Sequence, residues 1–130
     1  MSQTLDAPAV KLARAHVEAW ASKDFDAARN SLAANVTVTS SSTNPDIPHT
    51  DLAGIEDYMQ GLVLFAQSIV PGSVRVTDSS GDDQYALLMV TTKVDGPPYG
   101  NLTIHNARLY RFDEHAKIAA EQVIFYTTPG

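Results

Sequence analysis

The sequence contains no cysteine, which excludes a disulfide framework, a thiol nucleophile and a cysteine-based metal site. Basic side chains are also few. Nine Lys and Arg stand against fifteen Asp and Glu, and the formal net charge at pH 7 is −6. This acidic balance, with a pI near 4.9, argues against nucleic acid and against an anionic membrane surface as partners.

Long apolar runs and targeting patterns are missing as well. The apolar run Leu62–Ala66 is far shorter than the roughly 20 residues that span a bilayer. The N-terminus has no basic segment followed by an apolar one, so no signal peptide is predicted. We therefore expect a cytoplasmic protein that does not bind membranes. Its 130 residues fit one domain, 1–130.

Motifs for metals and cofactors do not appear either. The four His residues, at positions 16, 49, 105 and 115, show no metal-ligand spacing. The sequence has no Gly-rich phosphate loop and no nucleophile elbow. We expect neither a metal nor a cofactor.

The stretch 101–127 predicts a β-hairpin, because two runs rich in Ile, Leu, Val, Tyr and Phe flank the polar break Asp113–Ala116. If Phe112 faces Lys117, the numbers of facing residues keep a constant sum, and Arg108 faces Glu121. The same rule places three further pairs on that face: Tyr110 with Ala119, Asn106 with Val123, and Ile104 with Phe125.

The Arg108–Glu121 pair has two interpretations. As a solvated cross-strand ion pair it would contribute about 0–1 kcal/mol to stability. Alternatively, it is a charged cluster inside a pocket with apolar walls. The hairpin taken alone favours the first interpretation, because exposed ion pairs are the commoner kind.

Three helices are predicted before most of the strands. Asp6, Asp24 and Asp51 can cap them in turn. In the first helix, His16 lies on or beside the apolar stripe, one turn before Trp20. A single His at such a position is more often a core residue than a catalyst.

The remaining segments are predicted to be strands and loops. A short strand over 36–39 is followed by a polar loop, Ser40–Thr50. After the third helix come the strands Ser73–Thr77 and Gln84–Val94, and the apolar centre Ala86–Val90 suits burial on both faces. Segregated helices and strands indicate an α+β fold, with helices laid on one face of a bent sheet.

This element order resembles the cystatin-like cone fold of the nuclear transport factor superfamily, which includes ketosteroid isomerases, SnoaL-like polyketide cyclases and limonene epoxide hydrolase. Three stretches carry the resemblance: ARAHVEAWASKDFDAAR, LAGIEDYMQGL and RFDEHAKIAAEQVIFY. It implies a cone-shaped, curved, mixed sheet wrapped on three N-terminal helices. Since unrelated activities share this fold, the resemblance alone does not fix a function.

The catalytic pattern of the isomerases is not kept. Their first-helix Tyr falls on His16, their general-base Asp near Ser40, and their protonated Asp on Arg108. That chemistry needs a free carboxylate and neutral donors at the enolate oxygen. We therefore do not predict a ketosteroid isomerase.

The other two relatives give weak matches. The last-strand Asp of the epoxide hydrolase falls near Val123, and Gln84–Val94 contains no Arg-x-Asp. SnoaL-like cyclases use an acidic residue on the late strands, and Glu121 is the inward carboxylate available there. The resemblance also implies that the Arg108–Glu121 face lines the cone, which favours the pocket interpretation.

We therefore predict a hydrophobic pocket with His16, Arg108 and Glu121 as candidate catalytic residues. If His16 reaches Glu121, the two can shuttle a proton. One hypothesis is an isomerase, cyclase or hydrolase that acts by acid–base chemistry on a small apolar carbonyl compound. The other is non-catalytic binding of a small apolar or acidic ligand. The predicted ligand-binding residues are Trp20, Ser40, Tyr58, Ile104, Asn106, Tyr110, Val123 and Phe125.

The outer face of the predicted sheet mixes apolar and polar residues, as interfaces between subunits do. The resemblance implies a homodimer through this face, which we expect here. The predicted outer residues are Leu109, Ile118, Ile124 and Tyr126, with His105, Arg111 and Gln122.

Overall fold

A computed structural model describes residues 6–43, 49–97 and 99–130. Within these ranges the chain forms three helices and six strands. They are α1 (Pro8–Ala21), α2 (Phe25–Asn30), β1 (Leu32–Ser42), β2 (Thr50–Ala53), α3 (Ile55–Gln67), β3 (Arg75–Gly81), β4 (Tyr85–Val94), β5 (Leu102–Phe112) and β6 (Ile118–Pro129). The predicted α+β class, with helices set against a curved sheet, is confirmed.

One sheet contains all six described strands, in the order β2-β1-β6-β5-β4-β3. Neighbouring strands are antiparallel except β1 and β6, which run parallel. The parallel register aligns Val38 with Glu121 and Ser40 with Val123. Because β2 and β3 lie at opposite edges, the sheet is not closed. This pairing brings the N-terminal strand beside the hairpin that carries the charged pair.

Helix α1 buries one stripe of side chains at helical spacing, which includes His16 and Trp20 at 1% and 0% exposure. The predicted cap by Asp6 is wrong. Ala7 occupies the N-cap without a side-chain hydrogen bond, and Pro8 fills the first helical position. Asp6 instead pairs with Arg14, Oδ2 to Nε, at 3.1 Å.

The sequence prediction lacks strand β2 and starts the third helix at Asp51. In the structure Asp51 lies in β2, opposite Thr39, and α3 follows Gly54, whose φ is 90°. The predicted loop is shorter than expected, because Ser40 already belongs to β1. Residues 44–48 of that loop lie outside the described residues.

The predicted register of the hairpin is wrong by two residues. In the structure Arg108 is opposite Val123, and Glu121 is opposite Tyr110. A two-residue shift keeps every side chain on its original face. Arg108 and Glu121 therefore still share the inner face, but as diagonal neighbours.

A bulge near the turn changes the face of one residue. Arg111 pairs with Ala120 whereas Phe112 pairs with Ile118, so Ala119 is the extra residue. Ile118 was predicted on the outer face. It points inward instead and is 0% exposed, because the bulge reverses the alternation there.

Strand β4 does not have two buried faces. Its side chains alternate, so that Ala86, Leu88 and Val90 are buried while Leu87 and Met89 are 38% and 41% exposed. The prediction of burial on both faces is therefore wrong for the single chain. The outward residues of β4 belong to the outer face of the sheet.

The hydrophobic core lies between the helices and the inner face of the sheet, with Trp20, Tyr110 and Phe112 among its largest members. None of the helices in the described ranges combines the length and the apolar character needed to traverse a lipid bilayer.

Candidate functional site

A cavity of about 300 Å³ opens between α3, the strands β1 and β2, and the inner face of β5 and β6. Most of its walls are apolar side chains, contributed by every one of these elements. The apolar lining includes Val38, Leu52, Leu62, Phe65, Val123 and Phe125. The polar lining comprises Ser40, Thr50, Tyr58, Asn106, Arg108 and Glu121, with Tyr99 also bordering the cavity.

Arg108 and Glu121 form a buried ion pair at the cavity wall. Arg108 Nη1 donates to Glu121 Oε2 at 2.6 Å, and Arg108 Nε donates to Asn106 Oδ1 at 2.7 Å. The two charged side chains are only 10% and 1% exposed. A buried pair is tolerated only when both partners are well hydrogen-bonded. Here Arg108 bonds to Glu121 on the neighbouring strand and to Asn106 on its own strand. The solvated interpretation of this pair is therefore wrong.

Two aromatic rings border the guanidinium of Arg108. Its Cζ lies 5.0 Å from the centroid of Trp20 and 5.7 Å from that of Phe65, within the range of a cation–π interaction. Burial disfavours the cation, but Tyr110 and Glu121 outweigh this effect, so the pKa of Arg108 lies above its ordinary value. The group is a fixed positive charge.

Glu121 is also bound by a helix residue. The hydroxyl of Tyr58, on α3, donates to Glu121 Oε1. On its other side the same hydroxyl lies 3.1 Å from His16 Nε2. His16 Nδ1 in turn lies 2.6 Å from Ser31 Oγ, just after α2. A hydrogen-bonded line therefore leads from the cavity wall into the core.

Burial changes the pKa values of the titratable side chains in and beside this line. It lowers the pKa of His16 to about 4, against opposing effects of Glu121 and the Ala28 carbonyl. It also raises the pKa of Tyr58 well above its usual value, and that of Tyr110 too. At neutral pH the imidazole and both phenols are thus uncharged.

Asn106 contributes an unused donor beside the ion pair. Its Oδ1 accepts from Arg108, whereas its buried Nδ2 has no hydrogen-bond partner within the described part of the chain. An unpaired buried donor costs about 1–3 kcal/mol.

The structure brings the predicted site residues together in two layers. Eight of them border the cavity: Ser40, Tyr58, Ile104, Asn106, Arg108, Glu121, Val123 and Phe125. The other three, His16, Trp20 and Tyr110, do not line it and are at most 1% exposed. They lie behind the wall, where Trp20 packs on Arg108 and His16 holds Tyr58.

Some site residues were not predicted. Leu62 and Phe65 follow Tyr58 at positions i+4 and i+7 of α3, so the helical period could have indicated them. Ser31 carries no comparable signal, because only the fold shows that it meets His16. As for metals, the described residues contain no convergent set of three His, Asp or Glu side chains.

Known proteins resemble this chain in sequence and in fold. A family model described as a SnoaL-like domain matches residues 13–121. Among curated proteins, none matches the sequence significantly. Many solved structures do match in fold.

Three of these structures illustrate the likeness. A protein from Kribbella flavida is 23% identical, with a TM-score of 0.73 and coverage of 91% of this chain and 86% of its own. A Catenulispora acidiphila protein with a ketosteroid isomerase-like fold, in complex with trimethylamine, is 16% identical, with a TM-score of 0.67 and coverage of 87% and 83%. A Mycobacterium tuberculosis protein in complex with estradiol-17β-hemisuccinate is 10% identical, with a TM-score of 0.74 and coverage of 91% and 93%. At such identities the likeness concerns the fold.

Proposed function

The chain belongs to the SnoaL-like domain family, and from this premise we propose that its cavity binds a small, mostly apolar molecule with a carbonyl or carboxylate oxygen. The observation that carries the proposal is the buried Arg108–Glu121 pair at the wall of an apolar cavity. Few, well-placed polar groups in an apolar pocket are typical of small-molecule sites.

The polar end of the ligand would lie against Arg108 and Asn106. Arg108 supplies a permanent positive charge, and Asn106 lines the cavity beside it. Together they suit an oxygen that is negative or becomes negative during a reaction. The steroid hemisuccinate bound by the Mycobacterium tuberculosis protein has the same character, an apolar body with an acidic end.

The cavity size limits the ligand. A volume of about 300 Å³ is at the lower end of the roughly 300–1,000 Å³ found for ligand pockets. The apolar walls at Leu62 and Phe125 would contact its hydrocarbon part. This favours compact ring compounds over long chains.

Glu121 is the group we assign to acid–base chemistry. It borders the cavity, and its carboxylate is held by Tyr58 and Arg108 in one orientation. A positioned carboxylate can move a proton next to a carbonyl, as isomerisation, cyclisation or hydration requires. Arg108 would polarise the carbonyl oxygen in the same step.

A second candidate function is binding without catalysis. Both oxygens of Glu121 already accept hydrogen bonds, one from Tyr58 and one from Arg108. In this case Glu121 only holds Arg108 in place, and Arg108 binds the ligand.

We also propose a homodimer formed through the outer face of the sheet. Outward side chains of β4, β5 and β6 create an apolar surface there, each between 38% and 54% exposed. Extended apolar surfaces of this kind mark interaction sites. Its members are Tyr85, Leu87, Met89, Leu109, Ile124 and Tyr126.

The test is a thermal-shift screen of steroids, terpenoids, aromatic acids and small carbonyl compounds. A ligand at 100 times its Kd stabilises the folded state by about 2.7 kcal/mol. We expect one compound class to stabilise the wild type and not Arg108→Met. Arg75→Met, which removes an exposed charge on β3, is the matched control and should behave like the wild type.

Turnover then separates the two functions. If the bound class is converted, and Glu121→Gln still binds it without converting it, Glu121 is the acid–base group. Binding without conversion by the wild type favours the second function. Binding that is equal in wild type and Arg108→Met would contradict both.

A further inference from the structure

Three side chains from three different elements form a line that starts at the cavity and ends in the core. Glu121 on β6 borders the cavity, Tyr58 on α3 donates to its Oε1, and His16 on α1 lies behind Tyr58. The three residues are 3%, 4% and 1% exposed. Bulk water therefore does not reach the inner end of the line.

The hydrogen-bond geometry decides where the protons are. Ser31 Oγ donates its one proton to the carbonyl oxygen of Ala28 at 2.6 Å. Towards His16 it can then only accept, so His16 Nδ1 carries the ring proton. The neutral ring therefore turns a bare Nε2 towards Tyr58, 3.1 Å away.

Tyr58 has one proton for two possible acceptors. With Glu121 ionised against Arg108, that proton points to Glu121 Oε1. No proton then lies between Tyr58 Oη and His16 Nε2, because the proton of Tyr58 points to Glu121 and Nε2 carries none. The three side chains can therefore accept one more proton.

We propose that Tyr58 passes a proton from Glu121 to His16, so that a proton taken from the ligand by Glu121 is stored at His16 Nε2. The inference rests on the acid–base role proposed above for Glu121. The proton on Glu121 Oε1 moves to Tyr58 Oη while the proton of Tyr58 moves to Nε2. This leaves a carboxylate, a phenol and an imidazolium, and the reverse movement returns the proton to the ligand.

The surroundings of His16 suit a temporary store. The titratable and charged groups that face it are Tyr58 from α3, Tyr110 and Arg108 from β5, and Glu121 from β6. Burial lowers the pKa of His16 to about 4, so the store is empty at neutral pH and releases its proton readily. Glu121, which becomes negative as the proton leaves it, favours the imidazolium.

The proposal gives His16 and Tyr58 distinct positions in the reaction. Neither needs to take the proton from the ligand directly. Glu121 borders the cavity and passes the proton to Tyr58, which also lines the cavity, and through it to His16, which does not. They act as positioning and proton-relay residues, and Glu121 is restored as a base without exchange with solvent.

The test measures the ¹⁵N resonance of His16 Nε2 at neutral pH, without ligand, in wild type and Glu121→Gln. In the variant the side-chain oxygen of residue 121 must accept from Arg108, so its NH₂ group donates to Tyr58 Oη. This imitates the protonated carboxyl group. Tyr58 then turns its own proton to His16, and we expect an upfield shift of Nε2, as for a ring nitrogen that accepts a hydrogen bond.

The control is the same substitution in a Tyr58→Phe background, where no upfield shift should appear. Tyr58→Phe alone should leave Nε2 where it is in the wild type, because Tyr58 donates to Glu121 at rest. A merely structural Tyr58 would not change its donor direction with residue 121. No shift in Glu121→Gln, or a shift that persists with Phe at position 58, would overturn the proposal.

Two further outcomes keep the test decisive. If Glu121→Gln does not fold, Tyr58→Phe alone decides, since a downfield move of Nε2 would show that Tyr58 already donates to His16 at rest. A wild-type ring with its proton on Nε2 would overturn the relay as well. Because no ligand is present, these failures are independent of the ligand screen.

Discussion

Arg108 and Glu121 lie on adjacent strands but not opposite each other, and Nη1 of the arginine reaches Oε2 of the glutamate at 2.6 Å along the diagonal. Opposite Arg108 is the smaller Val123, and opposite Glu121 is Tyr110. The diagonal therefore leaves room for the long arginine side chain over the inner face. It also makes each charge dependent on the other for its burial.

Removal of one partner should destabilise the protein more than removal of both. Arg108→Met leaves a buried carboxylate without its cation, and we expect a loss of about 3–5 kcal/mol in the free energy of unfolding. The double variant Arg108→Met with Glu121→Gln should recover a large part of this loss. Urea denaturation of the wild type, both single variants and the double variant measures the coupling. Losses that simply add would show that the pair is not coupled.

The free energy of unfolding should decrease as the pH is lowered, over a pH range set by His16. Its pKa in the folded protein is about 4, against 6.5 for an unperturbed histidine. Between these values the unfolded chain binds a proton that the folded chain does not. The contribution of the neutral His16 to the free energy of unfolding is therefore complete above pH 6.5. It is lost as the pH falls to 4, and the loss is about 3 kcal/mol in total.

His16→Asn is the matching variant, since it keeps a polar side chain that does not titrate. Its stability at neutral pH will be lower, but its slope between pH 6.5 and pH 4 should be flatter than that of the wild type. Urea midpoints at several pH values provide the comparison. Equal slopes would mean that His16 is not the titrating group.

Two glycines should respond in opposite ways to alanine. At Gly81, the last residue of β3, a Cβ would overlap the carbonyl oxygen of Tyr85, a backbone atom that cannot move away. We expect Gly81→Ala to cost about 1–3 kcal/mol. At Gly61 in α3 the near atom, 2.9 Å away, is the flexible Cδ1 of Leu52.

Gly61→Ala should therefore be close to neutral or stabilising, because alanine is favoured over glycine in a helix by about 1 kcal/mol. Thermal unfolding of the two variants side by side tests this contrast. A larger loss at Gly61 than at Gly81 would contradict it.

A charge on the outer face should break the proposed dimer. Ile124 is 54% exposed and lies in register with Ala107, in the middle of that face. We expect the wild type to sediment at twice the 14.0 kDa mass of the chain and Ile124→Glu to sediment as a monomer. Gln67→Glu, an exposed position at the end of α3, controls for the added charge. A monomeric wild type would refute the dimer.

The sequence predicts the architecture better than its details. Apolar periodicity identifies α1 and the body of α3, and turn residues separate the strands, because these signals are local. Strand β2 is too short for a clear alternation, and Asp51 imitates a helix cap there. A four-residue strand of this kind depends on its partner β1 rather than on its own residues.

The candidate site shows a similar division. The face shared by Asn106, Arg108 and Glu121 follows from the two-residue alternation of strands, which is unaffected by the register error. The connection from His16 to Glu121 through Tyr58 could not be predicted. It joins three elements that are far apart in the sequence, and only the packing of helices on the sheet brings them into contact.

The parallel pairing of β1 with β6 has a consequence for synthesis of the protein. About eighty residues separate Val38 from its neighbour Glu121, and contacts at such separations close slowly. On the ribosome β1 has no partner on that side until β6 emerges, so its free edge is open to chaperones and to other nascent chains. The pocket acquires its carboxylate at the moment when that edge is covered.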